Sequence, residues 1–340
     1  MGSSAPSARR IAAFAALVAA CAAVAVVAVV AGARAGDGTT RASAAATGAL
    51  ATAKAARRPV VVYRVDDARR RGADGQVAVA PLAAPAGRRT LTPLRCARVD
   101  VAAAGPGICI ARGSGFAAGY VAKVFGADLR VRHTIPVQGI PSRARVSPDG
   151  RYGAVTMFVT GDSYADAGSF STRTTIIDVA SGRKVADLED FLVMRRERRV
   201  TAVDVNFWGV TFARDSDRFF ATLATGGRTY LIEGSVSQRQ AHVIHDDVEC
   251  PSLSPDGTRI AFKKRTASAA VPWRLTVLDL RTMRETPLAE VRSVDDQAEW
   301  LDDDHVLYGL DGAVWSVRAD GTGRPARLIA GAASPAVVRW

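Results

Sequence analysis

Beyond Pro59 the apolar residues fall in short β-branched runs, and each run stops at a cluster of Gly, Pro, Asp or Ser. Runs such as "VVVYRV" (Val60–Val65) and "TTIIDV" (Thr174–Val179) are too short for helices and use the residue types that suit a pleated sheet. The stops repeat. "RVSPDGRYGAV" (Arg145–Val155) and "SLSPDGTRIAF" (Ser252–Phe262) carry the same Ser-Pro-Asp-Gly between apolar flanks. Pro at the second place and Gly at the fourth suit a type I turn followed by a left-handed residue, so each copy predicts a tight turn between two strands. Downstream, "TTIIDVASGRKVADL" (Thr174–Leu188) and "LTVLDLRTMRETPL" (Leu275–Leu288) each predict a strand ending in aspartate, a polar turn and a further strand. Four strands with three turns, recurring every roughly 40–50 residues, make a β-propeller blade.

Degenerate copies fill the rest of the chain. "FARDSDRFFATL" (Phe212–Leu223) keeps Asp215 at the turn aspartate, "WLDDDHVLYGL" (Trp300–Leu310) is a shortened version, and "VDVAAAGPGICIA" (Val99–Ala111) is an earlier one. Counted from Ser147 to Ala213, Ser254 and Leu301, the steps are 66, 41 and 47 residues, and the long step absorbs an insertion at Gly161–Arg173. Arg58–Leu94 supplies three strands of a blade lacking its first, while "SPAVVRW" (Ser334–Trp340) resembles a first strand lacking the other three. Joined, they close a ring of six blades and leave no open sheet edge at the seam. The expected fold is therefore an all-β, six-bladed propeller over residues 59–340.

The N-terminus adds an address. Arg9 and Arg10 precede 21 uncharged residues, Ile11–Ala31, long enough to span a bilayer core as a helix. An uncleaved anchor, a signal cleaved near "ARA" (Ala33–Ala35) and a lipoprotein modified at Cys21 are the three readings, and all of them export the remainder. Residues 1–35 are thus expected to form a signal anchor or transmembrane segment, and residues 36–58 a linker, flexible or partly helical. Export makes the cysteines informative. "CARVDVAAAGPGIC" reads as two strands about a Gly-Pro-Gly turn, which predicts a Cys96–Cys109 disulfide, with Cys250 left as a small buried residue. The symmetric hairpin would turn at Ala102-Ala103, before the glycines, so the pairing needs a bulge or slip.

Composition narrows the function. The 340 residues are 48% apolar but only 6% aromatic, with a net charge of +12. The basic runs (Arg57-Arg58, Arg69–Arg71, Arg195–Arg199, Lys263–Arg265) are short, scattered and not interleaved with aromatics. A nucleic-acid partner is not expected, since such a surface concentrates its charge on one face.

The blade motif resembles that of the TolB-type six-bladed propellers, whose blades carry a "WSPDGxxIAF" strand–turn–strand and a later "IYVxDxxG" unit. "CPSLSPDGTRIAF" (Cys250–Phe262), "RARVSPDGRYGAV" (Arg143–Val155) and "VRADGTGRPARL" (Val317–Leu328) carry the resemblance, over about Pro59–Trp340. It implies architecture, because the motif is structural, and no particular activity. No second TolB domain precedes the propeller, so a role in a Tol-Pal-like system is not implied.

Little catalytic chemistry is written in the chain. Asp149, Asp256, Asp178 and Asp279 read as turn-formers. "HVIHDD" (His242–Asp247) sits where a fourth strand should run out into a loop, and strand geometry puts its two histidines on opposite faces, so no metal site is expected there. "RGSGF" (Arg112–Phe116) lacks the strand-to-helix context of a nucleophile elbow. "GDSYADAG" (Gly161–Gly168) lacks calcium-loop spacing and reads as a polar surface insertion. No cofactor is expected. The segments leading into the innermost strands are better candidates, because they surround one mouth of the central channel. They place Ser142 and Arg143, Asn206 and Trp208, Glu249, and Asp295, Asp296 and Gln297 where a protein or peptide tail or a small polar ligand would bind. The expectation is an extracytoplasmic, membrane-anchored binding or scaffolding module with a protein or peptide partner in the cell envelope. The alternative is an envelope carbohydrate-active lyase or hydrolase with its site at that mouth.

Overall fold

In a computed structural model, residues 44–67, 72–103, 105–114, 119–159 and 171–340 are described. The segment 1–35 expected to anchor the chain, Arg69–Arg71, part of "RGSGF" and most of the Gly161–Arg173 insertion lie outside them. Among the described residues no helix is long and apolar enough to cross a membrane.

Among the described residues six sheets follow one another along the chain, antiparallel except for one parallel pairing in blade 4. Blade 1 contains Val60–Val65, Gln76–Pro81 and Thr90–Arg95, and its innermost strand is Ala332–Val338 from the C-terminus. The seam pairs Val60 with Val338, Val61 with Val337 and Val62 with Ala336, which satisfies the backbone groups that an open ring would leave bare. Blade 2 begins at Arg98–Val101, blade 3 at Ile140–Val146, blade 4 at Asn206–Phe212, blade 5 at Glu249–Leu253 and blade 6 at the short Glu299–Trp300. In blades 2 to 6 the innermost strand leads through a turn into the second strand of its sheet. The core is divided among the blade interfaces rather than pooled, with Phe207, Phe219 and Tyr230 between blades 3 and 4, and Trp300, Val306 and Tyr308 between blades 5 and 6.

The Ser-Pro-Asp-Gly turns hold themselves. In the first copy Gly150 N–H donates to Ser147 O at 2.8 Å, Ser147 Oγ to Asp149 Oδ1 at 2.7 Å, and Arg151 N–H to the same carboxylate oxygen at 2.8 Å. The second repeats the set, with Gly257 N–H on Ser254 O at 2.8 Å and Thr258 N–H on Asp256 Oδ1 at 3.0 Å. Gly150 and Gly257 take φ of 76° and 77°, the left-handed conformation that glycine adopts at least cost. In the degenerate copy Ser216 occupies that place at φ 61°, and Asp215 still accepts from Asp217 N–H and Arg218 N–H at 3.1 and 2.9 Å.

Cys96 and Cys109 form a disulfide with Cα atoms 5.5 Å apart. The register supplies the slip. Val99, not Cys96, lies opposite Cys109, so Cys96 reaches its partner from just before the strand. The bridge ties the end of blade 1 to the second strand of blade 2. Cys250 is free and buried. Ahead of the propeller, residues 44–55 are helical. Ala46 and Leu50 are buried against the blade 1–2 core, Thr47 Oγ1 donates to Asp128 O at 3.0 Å, and Lys54 stands over the Trp340 ring at 5.5 Å.

One local expectation is corrected. The "HVIHDD" stretch does not run out into a loop: Gln240–Asp246 is a full strand of blade 4, and it pairs on both sides. The reason is an extra two-stranded excursion, Leu192–Arg195 and Arg198–Arg199, which covers what would have been an open edge. His242 lies 3.4 Å from Glu233 and His245 3.0 Å from Glu285, so the two rings face different carboxylates.

Candidate binding site in the central channel

The repeat predicts which side chains face the channel. Two places before each turn stand Asp100, Arg145, Thr211, Ser252 and Glu299; four places before it stand Arg98, Arg143, Gly209, Cys250 and Gln297. Alternation, which sends positions two apart to the same face, holds in blades 2 and 3, whereas bulges fall between the two positions in blades 4 and 5. The first set forms an inner layer toward the turns, and Arg98, Arg143 and Gln297 an outer layer.

The outer layer lies toward the mouth that the sequence nominated. Arg98 Nε and Arg143 Nη1 both donate to Ser142 O, at 2.6 and 2.9 Å. Arg143, 8% exposed, reaches within 3.7 Å of Asp295, and the buried Lys263 ammonium donates to the same Asp295 oxygen at 2.5 Å. Burial works to raise the Asp295 carboxyl, but Lys263 and Arg143 outweigh it and hold the group below its ordinary range. Asp296 accepts from Gly309 N–H at 3.0 Å, and Gln297 Nε2 donates to Val210 O and Pro251 O, both at 3.3 Å. Arg143, Asp296 and Gln297 thus come together around a cavity of only about 20 Å³. That is room for about one water molecule. Here the channel is narrowed to the width of a water by its own polar side chains.

Asn206, Trp208 and Glu249 are brought together elsewhere, with Arg228 and Arg265, around a hollow of about 260 Å³ between blades 4 and 5. Asn206 Oδ1 accepts from Thr172 N–H at 2.7 Å, and Glu249 lies 3.3 Å from Arg265. Burial pushes the Glu249 carboxyl up, with Lys263 and Arg265 pulling the other way. The side chains of Ser142 and Asp295 line neither space.

The larger opening is at the other end, where the turns are. A funnel of about 440 Å³ is lined by all six blades, from Ala103, Pro148, Arg214 and Pro255 at the turns to Trp300 and Arg339. Its floor is the inner layer. Arg145 bonds to Glu299, donates to Ala298 O at 3.1 Å and stands 3.8 Å from Asp100, while its Nε is buried without a partner. Asp100 accepts from Val146 N–H at 2.6 Å. Burial pushes its carboxyl up to about 7, Arg145 pulling down and Glu299 pushing up. Above the floor, Arg214 donates to Pro255 O at 3.0 and 2.6 Å and Arg339 to Trp300 O at 3.5 Å, leaving both guanidiniums at the wall. None of these funnel residues was nominated from the sequence. The signal was present: a polar residue two places before the turn in five copies.

No known protein family and no curated protein matches the chain. Among solved structures it is similar to TolB from Acinetobacter baumannii, at 14% identity and a TM-score of 0.53 over 82% of this chain. The fold is that of a TolB-like six-bladed propeller. The chain spans 66% of the length of that TolB chain. The TolB-like fold is equally similar to a chain of a nidogen/laminin complex, at 9% identity and a TM-score of 0.55, over 82% of this chain and 98% of that one.

Proposed function

We propose that this protein is an extracytoplasmic, membrane-anchored binding module that captures a segment of a protein partner in the funnel at the turn end of its propeller. The funnel carries the reading: all six blades project into it, and it is walled by Pro148, Pro255 and Trp300 and set with Arg145, Arg214 and Arg339. An apolar wall with a few convergent cations suits a chain end or side chain bearing a carboxylate. The 21-residue uncharged N-terminal stretch supports the anchor, and the Cys96–Cys109 bridge supports an oxidising compartment. The nidogen/laminin complex that contains a similar fold accords with a protein partner.

The test is photocrosslinking in native membranes from a reactive residue placed at Ala103, beside the funnel, or at Asp295, beside the other mouth. A defined adduct from Ala103 that disappears in Arg214→Glu/Arg339→Glu is expected. Adducts from Asp295 alone would move binding to the opposite mouth and defeat the funnel.

A second reading, an envelope carbohydrate-active lyase or hydrolase, rests on Asp100 and Glu299 flanking Arg145. A carboxyl that burial raises to about 7, beside one paired with Arg145, is an arrangement from which acid–base chemistry can start. Asp100→Asn that binds envelope polysaccharide but no longer turns it over would favour this reading. Absence of turnover by the wild-type protein would remove it.

A further inference from the structure

Among the described residues blade 4 has two strands more than any other blade. Leu192–Arg195 runs parallel to Gln240–Asp246, with Leu192 opposite Gln240 and Met194 opposite His242, and Arg198–Arg199 folds back against it. The tip residues Arg196 and Glu197 both have positive φ, 46° and 63°. This is the backbone of a two-residue type I′ hairpin, for which Asn-Gly is the low-cost choice. Holding two long charged side chains there costs roughly 1–2 kcal/mol per residue against the right-handed alternative.

The hairpin puts four arginines against one glutamate into five residues, a net charge of +3. Arg195 is fixed, with its guanidinium over the Tyr230 ring at 4.4 Å and 3.9 Å from Asp246. Arg196, Arg198 and Arg199 are exposed and make no ion pair or side-chain hydrogen bond among the described residues. They border a hollow of about 550 Å³, and a second of about 300 Å³ lies between Arg195, Arg196 and the outer face of Val243–Asp246. A sheet edge is protected by being short or by a single charge. Three uncompensated guanidiniums exceed that need and repel one another.

We propose that this hairpin is a binding site for a linear, phosphate-bearing polyanion. The planar guanidinium fork matches phosphate oxygens bidentately, and a row of unpaired forks beside open hollows matches a chain of phosphates rather than one ion. The orientation favours a polymer over a bilayer that tethers the N-terminus. Residues 44–55 dock at the turn end, against Asp128 in the turn after the third strand of blade 2. Leu192 lies beside Gln240, also at the turn end, so the strand carries the arginines toward the opposite end.

The probe is fluorescently labelled inorganic polyphosphate, titrated against the full chain in detergent and followed by polarisation at several salt concentrations. Arg196→Glu/Arg198→Glu/Arg199→Glu is compared with the charge-matched Arg281→Glu/Arg284→Glu/Arg327→Glu, which alters exposed arginines on blades 5 and 6. The hairpin variant is expected to bind at least ~10-fold more weakly and to lose about 2 from the slope of log K against log salt, at ~0.7 per phosphate contact. The control is expected to weaken binding less than ~3-fold. Arg196→Lys/Arg198→Lys/Arg199→Lys, which keeps charge and fold but loses the forks, should weaken binding ~3-fold. Equal loss in hairpin and control variants overturns the proposal, because the attraction would then belong to overall charge. So does poly-glutamate binding as tightly as polyphosphate, which would indicate an acidic protein. Hairpin-dependent binding only to phosphatidylglycerol vesicles overturns it in favour of a lipid surface.

Discussion

Replacing both bridged cysteines, Cys96→Ala and Cys109→Ala, removes the disulfide cross-link between the end of blade 1 and blade 2. The sequence separation is 13, so the bridge closes a loop of about 14 residues. In the chain-entropy relation such a loop removes roughly 3 kcal/mol of freedom from the unfolded chain. Alanine leaves no unsatisfied polar atom, and Cys96 and Cys109 are 4% and 0% exposed within an apolar cluster. Burying alanine in their place therefore adds only a small cavity cost to that loss. At an unfolding entropy of about 2.1 cal/mol/K per residue over about 280 propeller residues, 3 kcal/mol lowers Tm by about 5 °C. Calorimetry with and without reductant is the assay, because the wild-type protein in reductant should fall by the same amount while the double variant should not move. Thiol counting supplies the second readout. Denatured wild-type protein should show two of its four cysteines, Cys21 and Cys250, and all four only after reduction. Four thiols without reduction, or a Tm within 1 °C of wild type for the double variant, would refute the reasoning.

Other outcomes are equally direct. Burial pushes the Glu189 carboxyl from 4.5 up to about 7, with hydrogen bonds from its own and the Thr174 backbone amides opposing. Its contribution is therefore neutral below pH 4.5, becomes increasingly unfavourable between 4.5 and 7 as the unfolded chain ionises first, and levels off above. Glu189→Gln should stabilise the fold by up to roughly 3 kcal/mol at pH 8 and leave it unchanged at pH 4.5, as read from denaturant midpoints; equal effects at both pH values would contradict the assignment. Gly209 has φ +67°, and a Cβ there would lie 2.6 Å from Cys250 Cα. Gly209→Ala should therefore lower stability by more than the ~1–2 kcal/mol of backbone strain alone, and a Tm equal to wild type would show that the channel wall yields. Deleting residues 332–340 strips Val60–Val65 of its inner neighbour. Loss of the cooperative melt and of near-ultraviolet dichroism is expected, whereas a folded monomer would mean that closure is dispensable.

The local features were legible because their causes are local. The Ser-Pro-Asp-Gly turns are held by bonds among six consecutive residues, Ser147–Tyr152 and Ser254–Arg259, so the four letters carry the geometry with them. The closing strand could be inferred from a blade that lacked its first strand and a chain end that had nothing but one. The bridge was legible from spacing and the turn residues between. The channel was legible only in part. β-Bulges at Pro141/Arg143, Trp208/Thr211 and Glu249/Ser252 shift the register within the innermost strands. Residues adjacent in sequence are thereby divided among the rim, the channel and the blade interfaces. Arg143, Asp296 and Gln297, all nominated for one mouth, became the polar constriction that narrows it, while Asp295 stays at the rim, paired with Lys263.

By itself, then, the sequence determined the repeating unit, the number of blades and the way the ring closes, because turn chemistry and strand patterning act over a few residues. Tertiary structure alone decided which end of the channel is open. That depends on contacts such as Arg145 with Glu299, 154 residues apart, and on a funnel to which every blade contributes only two to four residues. The same is true of the arginine hairpin. Its parallel pairing with Gln240–Asp246 brings together segments far apart in sequence, and no periodicity in either one announces the other.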